Sequence, residues 1–103
     1  MEIKQQKNGN VATLLLNGRF DFNSHRAFKE SYTGLLADAE VKTMEVDLAN
    51  VSYIDSSALG MLLMLRERSD GVGKKVVLRN PNEIVIQILD IANFNKLFPI
   101  VKS

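Results

Sequence analysis

Apolar and polar side chains alternate along several short stretches of the chain, and this alternation places every second residue on one face of a β-strand. It is clearest in residues 44–48 and weaker in residues 2–6, and β-favouring residues fill positions 11–16. Residues 7–10, with Asn-Gly at their centre, lie between residues 2–6 and residues 11–16 and predict that these two stretches form a hairpin. The continuous apolar run within residues 74–79 predicts a further strand that is covered on both faces.

Apolar residues at helical spacing follow these predicted strands. The spacing predicts a surface helix over residues 25–39, a second helix over residues 57–69 and a third that opens at Asn80-Pro81. Residues 97–101 are predicted to close the chain as a short helical turn, a strand or both.

The order of predicted elements, β-β-α-β-α-β-α with a tail, is typical of the α/β class. A strand, helix and strand over residues 44–79 predict a right-handed crossover with parallel pairing, whereas the initial hairpin is antiparallel. We therefore expect residues 1–103 to form a single domain with a mixed β-sheet packed with about four helices.

Composition restricts the possible functions. The chain has 103 residues, of which 46% are hydrophobic, enough for one core without disulfides or metal. Thirteen basic and twelve acidic residues leave no net field that would attract nucleic acid or a membrane. Cysteine is absent, which excludes disulfides and thiol catalysis and fits a cytoplasmic protein. We expect no secretory signal, no membrane-spanning segment and no cofactor, so that function depends on a local site.

A polar corner lies between the strand at residues 44–48 and the second helix, whose first residues are Asp55, Ser56 and Ser57. Asp and Ser cap helix starts because their oxygens accept hydrogen bonds from unpaired backbone N–H groups. Two hydroxyls thus lie at the positive end of a helix dipole beside a carboxylate. On residue chemistry alone, a polar cap with no further role is the favoured interpretation of these serines.

The second helix is apolar on nearly all sides. Leu59, Leu62, Leu63 and Arg66 lie within one arc, while other apolar residues lie opposite. One explanation is a helix wedged between the sheet and a neighbouring helix. The other is an exposed patch beside the serines, of the kind that often marks a protein contact, formed by Gly60, Met61 and Met64.

Three enzymatic or ligand-binding chemistries find little support in the sequence. His25 is the only histidine, and no Gly-flanked nucleophile elbow is present, which argues against a serine hydrolase. Residues 71–74 contain two glycines and a lysine, but they end a helix and so are not a phosphate loop. Asp21, Asp47 and Asp55 come from separate segments and are a weak signal for a metal.

The stretch from Asp47 to Gly60 closely resembles the signature of STAS domains, and in particular of bacterial anti-sigma factor antagonists. That signature is a strand, a turn and then Asp-Ser-Ser/Thr-Gly-Leu-Gly opening a helix. Gly18-Arg19-Phe20-Asp21 also looks like the family segment that lies beside the phosphorylation site. The chain departs from the pattern at Ala58, where many members have Gly, and at the apolar pair Met64-Leu65.

The resemblance implies a partner-switching mechanism without catalysis. The family's phosphorylated serine directly follows the Asp, which is Ser56 here. The unphosphorylated protein would bind an anti-sigma factor that is also a GHKL-type serine kinase, and a PP2C-type phosphatase would reverse the modification. Ser57 is assigned to helix capping or partner contact. The residues expected at the partner surface are Asp21, Phe22, Asp55, Ser57, Ala58, Gly60, Met61 and Met64.

Other functions are known among STAS domains, and the sequence leaves them open. One is a subunit of a transporter complex that docks on an ATPase, and another is a regulator with a different output. A small-ligand or nucleotide sensor is a third. The free protein is expected to be a monomer or weak dimer.

Overall fold

The computed structural model describes residues 1–102 as a five-stranded sheet with helices between the strands. The sheet has the strand order β1-β2-β3-β4-β5. Its strands are β1 (Glu2–Asn8), β2 (Val11–Phe20), β3 (Thr43–Ile54), β4 (Lys75–Arg79) and β5 (Ile100–Val101). The helices are α1 (His25–Ala37), α2 (Ser56–Gly71) and α3 (Glu83–Ile91), with short 3-10 helices at Phe22–Ser24 and Phe94–Lys96.

Pairing in the sheet confirms the predicted mixed topology. β1 and β2 form the antiparallel hairpin, with Asn8 opposite Val11, and β2 through β5 are paired in parallel. Because each parallel strand lies beside the next one in sequence, right-handed crossovers place all three helices on the same face of the sheet.

The core lies between that face and the helices. Alternate residues of the central strands are fully buried, and they meet the aromatic pair Phe20 and Phe28, whose ring centroids are 5.0 Å apart. The opposite face of the sheet has no helix over it among the described residues. Val77 is therefore only partly buried, and the prediction that its strand is covered on both faces was wrong.

Both long strands extend further than their sequence pattern predicted. β2 was predicted over residues 11–16 but continues through Asn17-Gly18-Arg19 to Phe20. It stays paired with β3 there, although the register shifts and Gly18 has a positive φ of 108°. β3 includes the expected polar turn, since residues 49–53 continue as strand as far as Ile54. The third helix begins at Glu83 after the cap Asn82, so Pro81 precedes it. These changes bring the ends of β2 and β3 together.

Candidate functional site

The site is centred on Asp55, which joins the end of β3 to the start of α2. Its backbone is extended, and its Oδ1 accepts a hydrogen bond from the Ala58 backbone N–H at 2.9 Å. Its Oδ2 accepts from the Phe22 N–H at 3.3 Å, and its own N–H donates to the Phe20 carbonyl at 3.3 Å. Asp55 is thus the helix cap and also the tie between α2 and the end of β2.

Asp21 has a similar capping role on the neighbouring segment. Its Oδ1 accepts from the Asn23 N–H at 3.0 Å, and its own N–H donates to Ser24 Oγ at 3.2 Å, which makes a reciprocal capping box. Arg19 Nε lies 3.4 Å from Asp21 Oδ2, and the Arg19 guanidinium lies 4.4 Å from the centre of the Tyr53 ring. Asp21 therefore holds the short helix that carries Phe22 beside α2.

Ser56 is exposed and Ser57 is partly buried. Within residues 1–102 neither hydroxyl makes a hydrogen bond, because Asp55 supplies the side-chain cap. Capping, which the sequence alone favoured for these serines, is thus not their role. The first N–H groups of a helix have no intrahelical partner and carry partial positive charge. An anion on Ser56 would lie in that favourable field and in open solvent.

A groove of about 280 Å³ opens beside Ser56, between the short helix at Phe22–Ser24 and α2. Phe22, 73% exposed, and Met64, 45% exposed, stand on its rim, while Met61, only 7% exposed, forms its floor. The residues that line the groove are Phe22, His25, Ser57, Gly60, Met61 and Met64.

Two residues predicted at the partner surface are placed differently. Ala58 is 0% exposed, so its methyl group points into the core and does not border the site. Met61 is also buried, although it remains accessible as the groove floor. The arc of Leu59, Leu62, Leu63 and Arg66 is not buried as a unit, since Leu63 is 40% exposed. The helix packs against both α1 and β4, and its buried residues are Ala58, Met61, Leu62, Leu65 and Ser69.

The first turns of α1 carry two cations beside the groove that no sequence pattern had indicated. His25 borders both the groove and a shallow depression lined by Arg26 and Lys29. Arg26 pairs with Glu30, with Nε 3.4 Å from Oε1, whereas Lys29 has no ion pair within residues 1–102. No local motif marks these residues, because their place at the site depends on how α1 packs against α2.

The described part of the chain contains neither a metal-binding cluster nor a membrane-spanning helix. No three His, Asp or Glu residues in residues 1–102 come close enough together to hold a metal ion. None of the helices in the same range is long and apolar enough to cross a membrane.

The mixed sheet and the capped, serine-bearing helix start define the chain as a single α/β domain of the predicted class. The family model described as "Mlab, STAS domain" matches residues 3–102, so the chain belongs to the STAS domain family. A STAS-domain containing protein of Pseudomonas aeruginosa is 41% identical over 92 residues, which is 89% of this chain and 89% of that protein.

Solved structures share the fold at lower identity. A Thermotoga maritima protein assigned as an anti-sigma factor antagonist has a TM-score of 0.88 at 22% identity, covering 98% of this chain and 86% of its own. The unphosphorylated form of the anti-sigma factor antagonist SpoIIAA has a TM-score of 0.84 at 16% identity, covering 99% and 88%. The murine anion transporter Slc26a9 contains a similar region, with a TM-score of 0.72 at 20% identity, covering 84% of this chain and 14% of its own. Likeness at these identities shows the fold alone.

Proposed function

We propose that this chain is an anti-sigma factor antagonist that works by partner switching in the cytoplasm. The unphosphorylated form binds a GHKL-type anti-sigma factor and serine kinase, phosphorylation of Ser56 releases it, and a PP2C-type phosphatase restores binding. The chain is then a substrate and a ligand, not an enzyme. The observation that carries the proposal is the exposed Ser56 hydroxyl, which lies at the start of α2 directly after the capping residue Asp55 and makes no hydrogen bond within residues 1–102.

The position of Ser56 explains how one phosphate can switch binding without refolding the domain. A phosphate adds about −1.5 to −2 charges, and a helix N-terminus accommodates an anion. A docked partner must instead desolvate that charge next to the Asp55 carboxylate. An unpaired buried charge at an interface costs roughly 2–5 kcal/mol. At about 1.4 kcal/mol per tenfold, phosphorylation should weaken binding by about 30- to 3,000-fold.

The known forms of a related fold support this proposal. SpoIIAA has been solved in a phosphorylated form as well as the unphosphorylated one, and the phosphorylated form still has a TM-score of 0.77 to this chain at 14% identity. A fold of this type therefore accepts a phosphate and keeps its shape.

Two substitutions at Ser56 test the switch. Ser56→Ala is used as bait in native lysate, and the captured partner is purified. Its affinity for Ser56→Ala, Ser56→Asp and the matched control Ser57→Ala is then measured by isothermal titration calorimetry. Ser56→Ala and Ser57→Ala should bind tightly and Ser56→Asp at least about 30-fold more weakly. Equal affinities would refute the switch, and phosphate found by mass spectrometry on Ser57 alone would refute the assignment to Ser56.

A second candidate function is that of a subunit or domain of a transporter complex. The similar region in an anion transporter favours it, since there the fold is part of a transport protein. Co-purification of an ABC-type ATPase in place of a GHKL kinase would support this alternative.

A further inference from the structure

The groove beside Ser56 has a largely apolar lining, and two cations lie one helical turn further along the helices that flank it. Phe22, Met61 and Met64 form the apolar lining. Lys29 lies one helical turn beyond His25 on α1, and Arg68 lies one turn beyond Met64 on α2. Because α1 and α2 both connect parallel strands of one sheet, they run in the same direction, and these two cations lie beyond the same end of the groove.

Helix spacing places Arg68 on the side of α2 that faces the groove. Arg68 follows Met64 by four residues, so the two side chains lie on one face of the helix, and Met64 lines the groove towards the start of α1. Over the described residues neither Lys29 nor Arg68 pairs with a carboxylate. Two cations that form no ion pair within residues 1–102 therefore lie one helical turn beyond the groove.

We propose that the groove binds an amphipathic helix of the partner protein that carries acidic residues at one end. Its apolar side chains would contact Phe22, Met61 and Met64, and its carboxylates would face Lys29 and Arg68. Helices commonly bind in this way, laying an apolar face into a groove of matching length. Opposite charges at the rim set orientation and speed association. The inference rests on the proposed function, because it names the chemistry of the partner at the same site.

A protein helix fits the groove better than a membrane does. The chain carries a net charge of only +1, which gives no broad positive surface for anionic lipid. Met61 is recessed below Phe22 and Met64, so the apolar contact is a concave slot that a side chain can enter. The adaptable thioethers of Met61 and Met64 suit packing against such a side chain.

Two synthetic peptides provide the test without knowledge of the natural partner. Both are hydrocarbon-stapled helices of about 15 residues, since unstapled helices of that length are marginal in water. They share one apolar stripe, and one carries Glu where the other carries Lys. Each is titrated into the isotope-labelled, unphosphorylated full chain, and binding is followed by NMR at low and high salt. The acidic peptide should bind at least about tenfold more tightly, with shifts centred on the groove and a preference that salt weakens.

Variants separate the contribution of the apolar groove from that of the two cations beyond it. The double change Lys29→Glu with Arg68→Glu should reverse the peptide preference, whereas Lys4→Glu with Lys96→Glu, which changes net charge equally, should leave it unchanged. Met64→Ala should weaken both peptides, whereas the exposed neighbour variant Leu63→Ala should not. Folding of each variant is checked by the dispersion of its NMR spectrum.

Three outcomes would overturn the proposal: equal affinity for the two peptides, no groove shifts at millimolar peptide, or Met64-dependent binding to vesicles of anionic lipid. These outcomes are independent of the switch. Equal binding of the partner by Ser56→Ala and Ser56→Asp would refute the proposed function and leave the peptide result intact. Equal peptide affinities would refute the groove assignment and leave the switch intact.

Discussion

The two ends of α2 each place a serine near a charged residue, but with opposite exposure. At the first end Ser56 is exposed, and Asp55 is partly buried and bonded to backbone N–H groups on both sides. At the other end Ser69 is 0% exposed and its hydroxyl has no hydrogen-bond partner within residues 1–102.

Lys74 completes the second end. It is only 7% exposed, and its ammonium group donates to the Asp38 carbonyl at 2.8 Å and the Val41 carbonyl at 2.7 Å. Its backbone N–H donates to the Ser69 carbonyl at 2.9 Å. These bonds fix the end of α2 to the loop that leads into β3. One end of the helix thus presents a hydroxyl to solvent, whereas the other uses its polar groups to hold the fold.

The same charged substitution at the two serines should give the sharpest contrast. Ser69→Asp buries a carboxylate without a partner and should lower the free energy of unfolding by roughly 3–5 kcal/mol. Ser56→Asp should change it by less than about 1 kcal/mol, because the charge is exposed and lies in the favourable field of the helix start. Urea denaturation followed by circular dichroism measures both, with Ser69→Asn as the uncharged control. Similar losses at both positions would show that the ends of α2 are equivalent.

The bonds of Lys74 can be removed while most of its apolar stem is kept. Lys74→Met leaves the Val41 carbonyl without its side-chain donor and should cost about 1–3 kcal/mol. For a domain of this size each kcal/mol corresponds to roughly 4–8 °C in Tm. Calorimetry should show that drop, while Lys75→Met, at an exposed position of β4, should leave Tm nearly unchanged. An unchanged Tm for Lys74→Met would mean that desolvation of the ammonium offsets its two bonds.

The cap at the first end should contribute less. Asp55→Ala removes the acceptor for the Ala58 and Phe22 N–H groups and should lower the free energy of unfolding by about 1 kcal/mol. Asp55→Asn keeps one carbonyl acceptor and should lower the free energy of unfolding by less than Asp55→Ala does. Hydrogen exchange at Ala58 and Phe22 measures the local effect. Unchanged exchange in Asp55→Ala would contradict the role of Asp55 as the tie between α2 and the end of β2.

Much of this architecture was predictable from sequence because its signals are local. The alternation in β3, the Asn-Gly turn and the cap residue Asp55 each depend on neighbouring residues. These local signals were enough to predict the mixed sheet, the crossover and the helix start that presents Ser56. The STAS resemblance, confirmed by the family match over residues 3–102, depended on the same short stretch.

The features that escaped sequence analysis depend on contacts between distant segments. Residues 49–53, which were expected to form a polar turn, become strand because β2 pairs with them, with Gly18 opposite Val51 and Arg19 opposite Tyr53. The orientation of α2, which buries Ala58, follows from packing against both α1 and β4. Lys29 and Arg68 lie on different helices, and only the fold makes them neighbours of the same groove.

The smallest effect is expected for the ion pair between Lys7 and Asp38, which lies at the exposed edge of the second end of α2. Lys7 Nζ donates a hydrogen bond to Asp38 Oδ2 at 2.9 Å. That hydrogen bond, with a further one from the Glu40 N–H, lowers the pKa of the Asp38 carboxyl. Because the folded pKa lies below the unfolded one, the stabilisation is present above the unfolded value of about 3.9 and is lost as pH falls through the folded value.

Lys7→Gln should therefore raise the pKa of Asp38 part of the way back to its usual value. The pKa should stay below that value, because the Glu40 N–H still donates to the carboxylate. An NMR titration of the Asp38 carboxyl carbon measures the shift, with Lys4→Gln as the control on the same strand. The effect on stability near neutral pH should be slight, because both side chains are exposed to water that screens their attraction. An Asp38 pKa that does not change in Lys7→Gln would remove Lys7 as its cause, and would confine the stabilising role at this end of α2 to the buried bonds of Lys74.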